Sequence, residues 1–215
     1  MKFPFLASVV IFMVVLHHNL RKGKKIGKRQ EDSFWKKEYE ANTTRKQPLD
    51  DLQFITFSAS EYIPVHLLSP HEVSDFFASF PQLKEILPSL LNLSEAKIVN
   101  LTDYTNTDLK LKYGVANFNL LSEYEENYLS LISYLHQYGQ CYYEAGFYEQ
   151  ALTIFSYAIS IGSDSSETFI LSLKCCNTLG KDEQFREIIE KAQLLSSHRK
   201  NIIFRKLKES GLYND

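Results

Sequence analysis

The chain has 215 residues, of which 44% are hydrophobic and 23% are charged. This composition is typical of a globular protein and excludes an intrinsically disordered one, and only 8 Gly and 6 Pro argue against an all-β or fibrous protein. The formal net charge of −2 is unevenly distributed: residues 1–46 carry 11 Lys and Arg against 4 Asp and Glu, whereas the remainder carries 13 against 22. A basic arm on an acidic body predicts that the arm faces a polyanion or a membrane surface.

Residues 3–20 contain no charged side chain when His is counted as neutral. As a helix these 18 residues rise about 27 Å, close to the roughly 30 Å hydrocarbon core of a bilayer. We therefore predict that residues 1–20 form a transmembrane anchor. The alternative is a cleavable signal peptide, which requires small residues at a cleavage site after the apolar run. The stretch HHNLRKGKKIGKR that follows offers no such site.

Residues 21–47 are predicted to form a basic juxtamembrane linker or a partly helical stalk. Its cations outnumber those before the apolar run, so the positive-inside rule predicts a cytoplasmic body on a single-pass protein of the cell membrane. The same cations are expected to contact anionic lipid headgroups. No reading motif for nucleic acid accompanies them. The six are Arg21, Lys22, Lys24, Lys25, Lys28 and Arg29.

Residues 48–116 are predicted to form a mixed extended and helical part of the body. The alternation over Phe54–Phe57 predicts a brief strand or an extended strap against helices. A helix is expected from Pro70, with a break at Pro81 before a second helix, which Pro88 limits or kinks.

A short helix is then expected to begin with Asn106 and Thr107 as caps and to end at Gly114. Residues 117–143 follow with apolar and aromatic side chains at i, i+3 and i+4, which predicts a long amphipathic helix. Its tyrosines are assigned to packing rather than to ligand binding, because aromatic residues at helical spacing usually face a core.

The stretch GQCYYEAGFYEQALTIFSYAIS, residues 139–160, alternates small residues with rings at fixed spacing. Small side chains allow two antiparallel helices to approach closely, and rings fill the space beside such a contact. We expect the close approach at Gly139 and Ala151, with Tyr142 and Phe155 as the rings beside it. Two further small residues, Gly146 at the turn and Ala158 towards the next unit, complete the pattern.

This spacing resembles the tetratricopeptide repeat, a helix–turn–helix unit with a period of 34 residues. The match is specific over residues 132–165, and residues 166–199 resemble a degenerate second unit. Residues 201–210 suit a terminal capping helix with a wet, basic face. The predicted fold is therefore mainly α: residues 117–215 form a short solenoid of antiparallel helical hairpins, preceded by a single transmembrane helix and a basic linker.

The resemblance implies a groove on the inner helices that binds a protein or peptide partner. The matching groove positions are Ser133, His136, Gln140 and Tyr143 in the first unit and Glu167, Ile170, Lys174 and Asn177 in the second. Lys174 and Asn177 suit a clamp for a terminal carboxylate, but the first unit lacks the cations that such a clamp needs. His136 is expected to be a surface histidine.

The chain contains no phosphate-binding Gly loop, no HExxH, no G-x-S-x-G and no paired ligands at metal spacing. We therefore expect neither an enzyme nor a cofactor or metal site. Cys175 and Cys176 are expected to fill a core as small apolar residues.

The sequence thus predicts a membrane-anchored adaptor or scaffold, with a composition that favours a bacterial source. The alternative keeps the fold and places it outside the cytoplasm, as a secreted or envelope-side repeat protein with residues 1–20 as its signal peptide.

Overall fold

The structure is a computed structural model that describes residues 3–59 and 70–213. Within these ranges the side chains of a few segments are not described: residues 3–11, 14, 23, 26, 71–74 and 197. The described residues are mainly helical, which confirms the predicted mainly α class. The helices are α1 (Phe3–Thr43), α2 (Pro70–Ser79), α3 (Leu83–Leu93), α4 (Asn106–Tyr113), α5 (Phe118–Glu144), α6 (Tyr148–Ser160), α7 (Ser166–Leu179), α8 (Asp182–Leu194) and α9 (Ser197–Glu209).

The segment predicted to be a juxtamembrane linker is helical as far as Thr43, as the continuation of α1. Within the described residues no helix is both long and apolar enough to cross a membrane. The predicted anchor, residues 1–20, falls mostly on residues whose side chains lie outside the described part of the chain.

The residues between α1 and α3 follow the sequence prediction closely. Phe54 pairs with Val99 in an isolated antiparallel bridge, so the predicted strap is extended. The second helix starts after the expected break at Pro81, and α3 continues for five residues beyond Pro88.

The cap of α4 lies one residue earlier than expected. Thr105 caps the helix, because its hydroxyl accepts from the backbone N–H of Asp108 while the Asp108 carboxylate accepts from the backbone N–H of Thr105. This reciprocal capping box satisfies two backbone donors at once, which a cap at Asn106 or Thr107 does not provide. Gly114 ends the helix with φ of 84°, as predicted.

The chain divides into two compact units, of which the first comprises residues up to Asp50 together with Tyr104–Leu120. In this unit the carboxyl-terminal half of α1 is tied to α4 by side-chain bonds. Lys37 Nζ donates to Asp108 Oδ1 over 2.8 Å, and Lys110 Nζ donates to Asn42 Oδ1 over 2.9 Å.

The chain after α1 is fixed by the buried side chain of Asn117. Its Nδ2 donates to the carbonyl oxygens of Gln47 and Tyr113, each over 2.8 Å. At Gly114 a Cβ atom would lie 2.2 Å from the carbonyl oxygen of Arg45, so only glycine fits this approach.

The second unit comprises Asp51–Asp103 and the chain from Leu121 onwards. Here α2, α3 and α5–α9 share one hydrophobic core, to which the strap adds Phe57. Among the core side chains are Phe76, Leu83, Leu90, Leu131, Leu135, Tyr138, Tyr142, Ile154, Phe155, Phe169, Leu173, Ile188, Ile203 and Leu207.

Helix ends and turns of this unit recur after 34 residues. Helices α6 and α8 have 13 residues each, and both of their ends are offset by 34. The turns before them also correspond: Gly146 and Gly180 have φ of 84° and 67°. The next residues, Phe147 and Lys181, each donate a backbone N–H to the carbonyl five residues earlier over 2.9 Å. The backbone therefore has the period that the sequence pattern shows.

Candidate functional site

The inner helices α5, α7 and α9 contact one another through polar side chains. His136 Nδ1 on α5 lies 3.0 Å from Thr168 Oγ1 on α7. On the other side of α7, Lys206 Nζ of α9 donates to Glu167 Oε1 over 2.8 Å. These contacts place the three helices next to one another, in the order that a concave groove requires.

His136 is half-buried, so the expectation of a surface histidine was wrong. Its ring lies 6.1 Å from the ring of Phe155, centroid to centroid. Burial lowers the pKa of His136, and the nearby Glu167 carboxylate acts in the opposite direction and more weakly. At neutral pH the imidazole is uncharged, and its second nitrogen completes a polar position on the groove side of α5.

Tyr143 lies at the end of the same helix and is partly exposed. Its ring makes an edge-to-face contact with Tyr148, with centroids 5.4 Å apart. Burial is the main cause that raises the pKa of Tyr143, followed by its neighbours Cys175 and Tyr148. The phenol therefore keeps its proton at neutral pH and can donate a hydrogen bond to a partner.

The other two α5 positions are exposed and are bonded along their own helix. Ser133 Oγ accepts from Gln137 over 3.1 Å, and Gln140 Nε2 donates to Glu144 Oε1 over 2.7 Å. Such i, i+4 bonds between exposed side chains are weak, so a partner can replace them at little cost.

Helix α7 supplies Lys174, which is half-buried, and Asn177, which is exposed. Within the described part of the chain, neither side chain makes a hydrogen bond or an ion pair. A cation and an amide with free donors thus lie one turn apart on the helix between α5 and α9. Ile170, the groove position one turn before Lys174, is buried with 8% of its surface exposed.

The residues assigned to packing are buried, apart from Gly146 at the turn. Gly139, Tyr142, Ala151, Phe155 and Ala158 all lie inside the helical core. The residue that closes on Gly139 is Phe155, because a Cβ atom at position 139 would lie 2.5 Å from Cε1 of that ring. The spacing had placed Phe155 beside the close contact, whereas its ring forms it.

Cys175 and Cys176 are buried next to Tyr143 and Lys174. Burial raises the pKa of both thiols, to about 12 for Cys175. Thiols that stay protonated and buried behave as small apolar side chains, as the sequence predicted.

The six cations after the apolar run are exposed on α1. At 100° per residue, Arg21, Lys22, Lys24, Lys25, Lys28 and Arg29 fall within an arc of about 160° around the helix. The charges therefore form one basic face rather than a ring.

Sequence reasoning missed two features of this region. Thr168 is a buried polar residue whose hydroxyl meets His136, and the ion pair of Glu167 with Lys206 joins α7 to α9. Each joins helices far apart in sequence, and the 34-residue shift, applied to small and aromatic residues, carries no signal for such polar pairs.

Comparison of the chain with protein-family models, with curated proteins and with solved structures finds no match.

Proposed function

We propose that the chain is a membrane-anchored adaptor whose helical groove binds a protein or peptide partner at the cytoplasmic face of the membrane. The repeat-like groove is formed by α5, α7 and α9, in the manner of a tetratricopeptide array. The partner-facing residues are Ser133, His136, Gln140, Tyr143, Lys174 and Asn177.

The observation that carries this proposal is the unpaired donor pair on α7. Lys174 and Asn177 lie between two flanking helices that their own polar contacts hold in place. Donors that no described group of the chain satisfies, next to the phenol of Tyr143, suit carbonyl or carboxylate groups of an extended polypeptide. The 34-residue recurrence of helices and turns supports the repeat-like arrangement.

Partner binding is tested by purifying the full chain from cells of its source and measuring the retained partner in three variants. Tyr143→Ala and Lys174→Ala are expected to lose it, whereas Thr153→Ala, an exposed change on α6, is expected to keep it. Loss in all three, or in none, would contradict a binding site on the inner helices.

The anchor rests on the uncharged residues 3–20 and on the basic face that follows them on α1. We propose that this face contacts anionic headgroups, with each cation near the surface contributing about 1 kcal/mol. In flotation assays, reversal of Lys24, Lys25 and Lys28 to Glu is expected to weaken association only with vesicles that contain anionic lipid.

The secreted alternative predicts the opposite side of the membrane and is tested through the sequons at Asn42 and Asn92, whose side chains are exposed. When the chain is translated with eukaryotic microsomes, a cytoplasmic body leaves both asparagines without glycan. A mass shift that Asn42→Gln and Asn92→Gln remove would place the body on the far side.

A further inference from the structure

A surface pocket of about 450 Å³ opens between the end of α2 and the turn that follows α5. It lies in the second unit, and the residues that line it come from these two segments alone. They are Asp75, Phe76, Ser79, Phe80, Glu144, Ala145 and Phe147.

Three phenylalanine rings form the wall of the pocket. Phe76 is buried with 4% of its surface exposed, and its ring centroid lies 5.2 Å from that of Phe80 and 6.1 Å from that of Phe147. Tyr142 packs behind Phe76 with centroids 4.5 Å apart. The wall is therefore anchored in the core, and its position does not depend on a ligand.

Two carboxylates, Asp75 and Glu144, contribute to the same lining from opposite segments, and both are exposed. Glu144 accepts a hydrogen bond from Gln140 over 2.7 Å through Oε1. Among the residues that line the pocket there is no Lys, Arg or His. The pocket thus combines apolar aromatic surface with negative charge.

We propose that this pocket binds the side chain of an arginine presented by a partner polypeptide. Aromatic faces attract cations, and the planar guanidinium stacks on rings while it pairs with carboxylates. Its apolar stem suits the ring wall, because long basic side chains lay their methylene groups along apolar surface. The pocket volume is within the range of small-ligand sites, about 300 to 1,000 Å³.

The pocket goes beyond the proposed groove, since it uses neither Lys174 nor Asn177. It is also opposite in charge: the groove offers donors to a partner, and the pocket offers acceptors. The two proposals therefore fail independently.

The direct test is a titration of the full chain in detergent micelles, labelled with ¹⁵N at alanine and phenylalanine and observed by NMR. The probe is N-acetylarginine amide, and N-acetylcitrulline amide is its uncharged counterpart of the same shape. We expect saturable shifts of the Phe80, Ala145 and Phe147 signals with the arginine probe and at least tenfold weaker binding of the citrulline probe. Equal binding of the two probes, or shifts that do not saturate, would overturn the proposal.

Matched variants separate pocket chemistry from general charge. D75N/E144Q is expected to weaken binding of the arginine probe at least fivefold. E123Q/E126Q removes the same charge from exposed positions on the first half of α5 and is expected to change affinity less than twofold. If both double variants weaken binding equally, the effect is long-range charge and the pocket is not the site.

The ring wall has its own variant, F147L, which keeps an apolar side chain and removes the π face. We expect it to bind the probe at least threefold more weakly while the unfolding midpoint stays within a few degrees. Unchanged affinity in F147L would overturn the aromatic part of the proposal. K174A/N177A is expected to bind the probe as the unaltered chain does, even if it loses the groove partner.

Discussion

The ring of Phe155 lies directly on Gly139, so that a Cβ atom at position 139 would be 2.5 Å from Cε1 of the ring. Both residues are buried in the contact between α5 and α6. The contact fixes how closely the first helical hairpin closes, and through it the position of His136 and Tyr143 on the inner helix.

Substitution of Gly139 is therefore expected to destabilise the second unit by overpacking. We expect Gly139→Leu to lower the free energy of unfolding by about 1–3 kcal/mol, since the ring and the new side chain cannot occupy the same space. Gln140→Leu, one residue further along on the exposed side of α5, serves as the control and is expected to change stability little. Denaturant unfolding measures both.

The pairing itself is tested by combining Gly139→Ala with Phe155→Leu. A smaller side chain at position 155 leaves space for the new methyl group, so the double variant is expected to be more stable than the sum of the two single effects. Strictly additive effects would show that the two residues do not constrain each other.

Gly146 and Gly180 are required for their backbone conformation, because both have positive φ and a Cβ atom at either site meets open space. We expect Gly146→Ala and Gly180→Ala to destabilise by about 1 kcal/mol each, since L side chains rarely adopt this conformation. Asn tolerates it better, so Gly146→Asn should cost less. Thermal unfolding of the three variants measures the order, and an equal cost for Ala and Asn would argue against a backbone origin.

His136 predicts a dependence of stability on pH. Its folded-state pKa is lowered from the ordinary value of 6.5, mainly by burial. The folded state therefore disfavours the charged form: its full contribution to stability is present above pH 6.5 and is lost as the pH falls through that value. In His136→Gln, the difference between unfolding free energies at pH 7.5 and pH 5.5 is expected to shrink, and an unchanged difference would assign the pH dependence to other groups.

The contact of Lys37 with Asp108 predicts a carboxyl group that titrates unusually low. The hydrogen bond from Lys37 is the largest cause, followed by bonds from Thr105, and together they lower the pKa of Asp108 to about 2. Carboxyl ¹³C chemical shifts report this value directly. In Lys37→Met the pKa is expected to rise towards 3.8 but to stay below it, because the bonds from Thr105 remain.

The sign of this linkage is opposite in position on the pH scale to that of His136. A carboxylate with a lowered pKa stabilises the contact of α1 with α4 above its ordinary pKa and loses that contribution as the pH falls from about 4 to about 2. An Asp108 that titrates near its ordinary value would show that the ion pair does not persist in solution.

Local patterns in the sequence gave most of the helices of the described chain. Pro70, Pro81 and Gly114 act through their own backbone restrictions, so they mark helix boundaries without knowledge of the rest of the fold. The cap of α4 was misplaced because the choice among Thr105, Asn106 and Thr107 depends on which residue Asp108 can reach back to.

Features that join distant segments were not accessible in the same way. Phe76 and Phe147 meet only because α2 packs against the end of α5, and no periodicity within either segment announces that contact. His136 was expected on the surface because it lies opposite the main apolar stripe of its helix. It is half-buried because α7 packs against that side as well. The anchor and its orientation stay predictions from residues 1–20 and the cations that follow.

The groove is tested most directly by placing a photoreactive residue at Gln140, at Asn177 and, as control, at Thr153 on α6, and by irradiating cells of the source organism. The account predicts crosslinks to the same partner polypeptide from Gln140 and Asn177 and none from Thr153. Crosslinks from Thr153 to that partner, or none from the two groove positions, would contradict it.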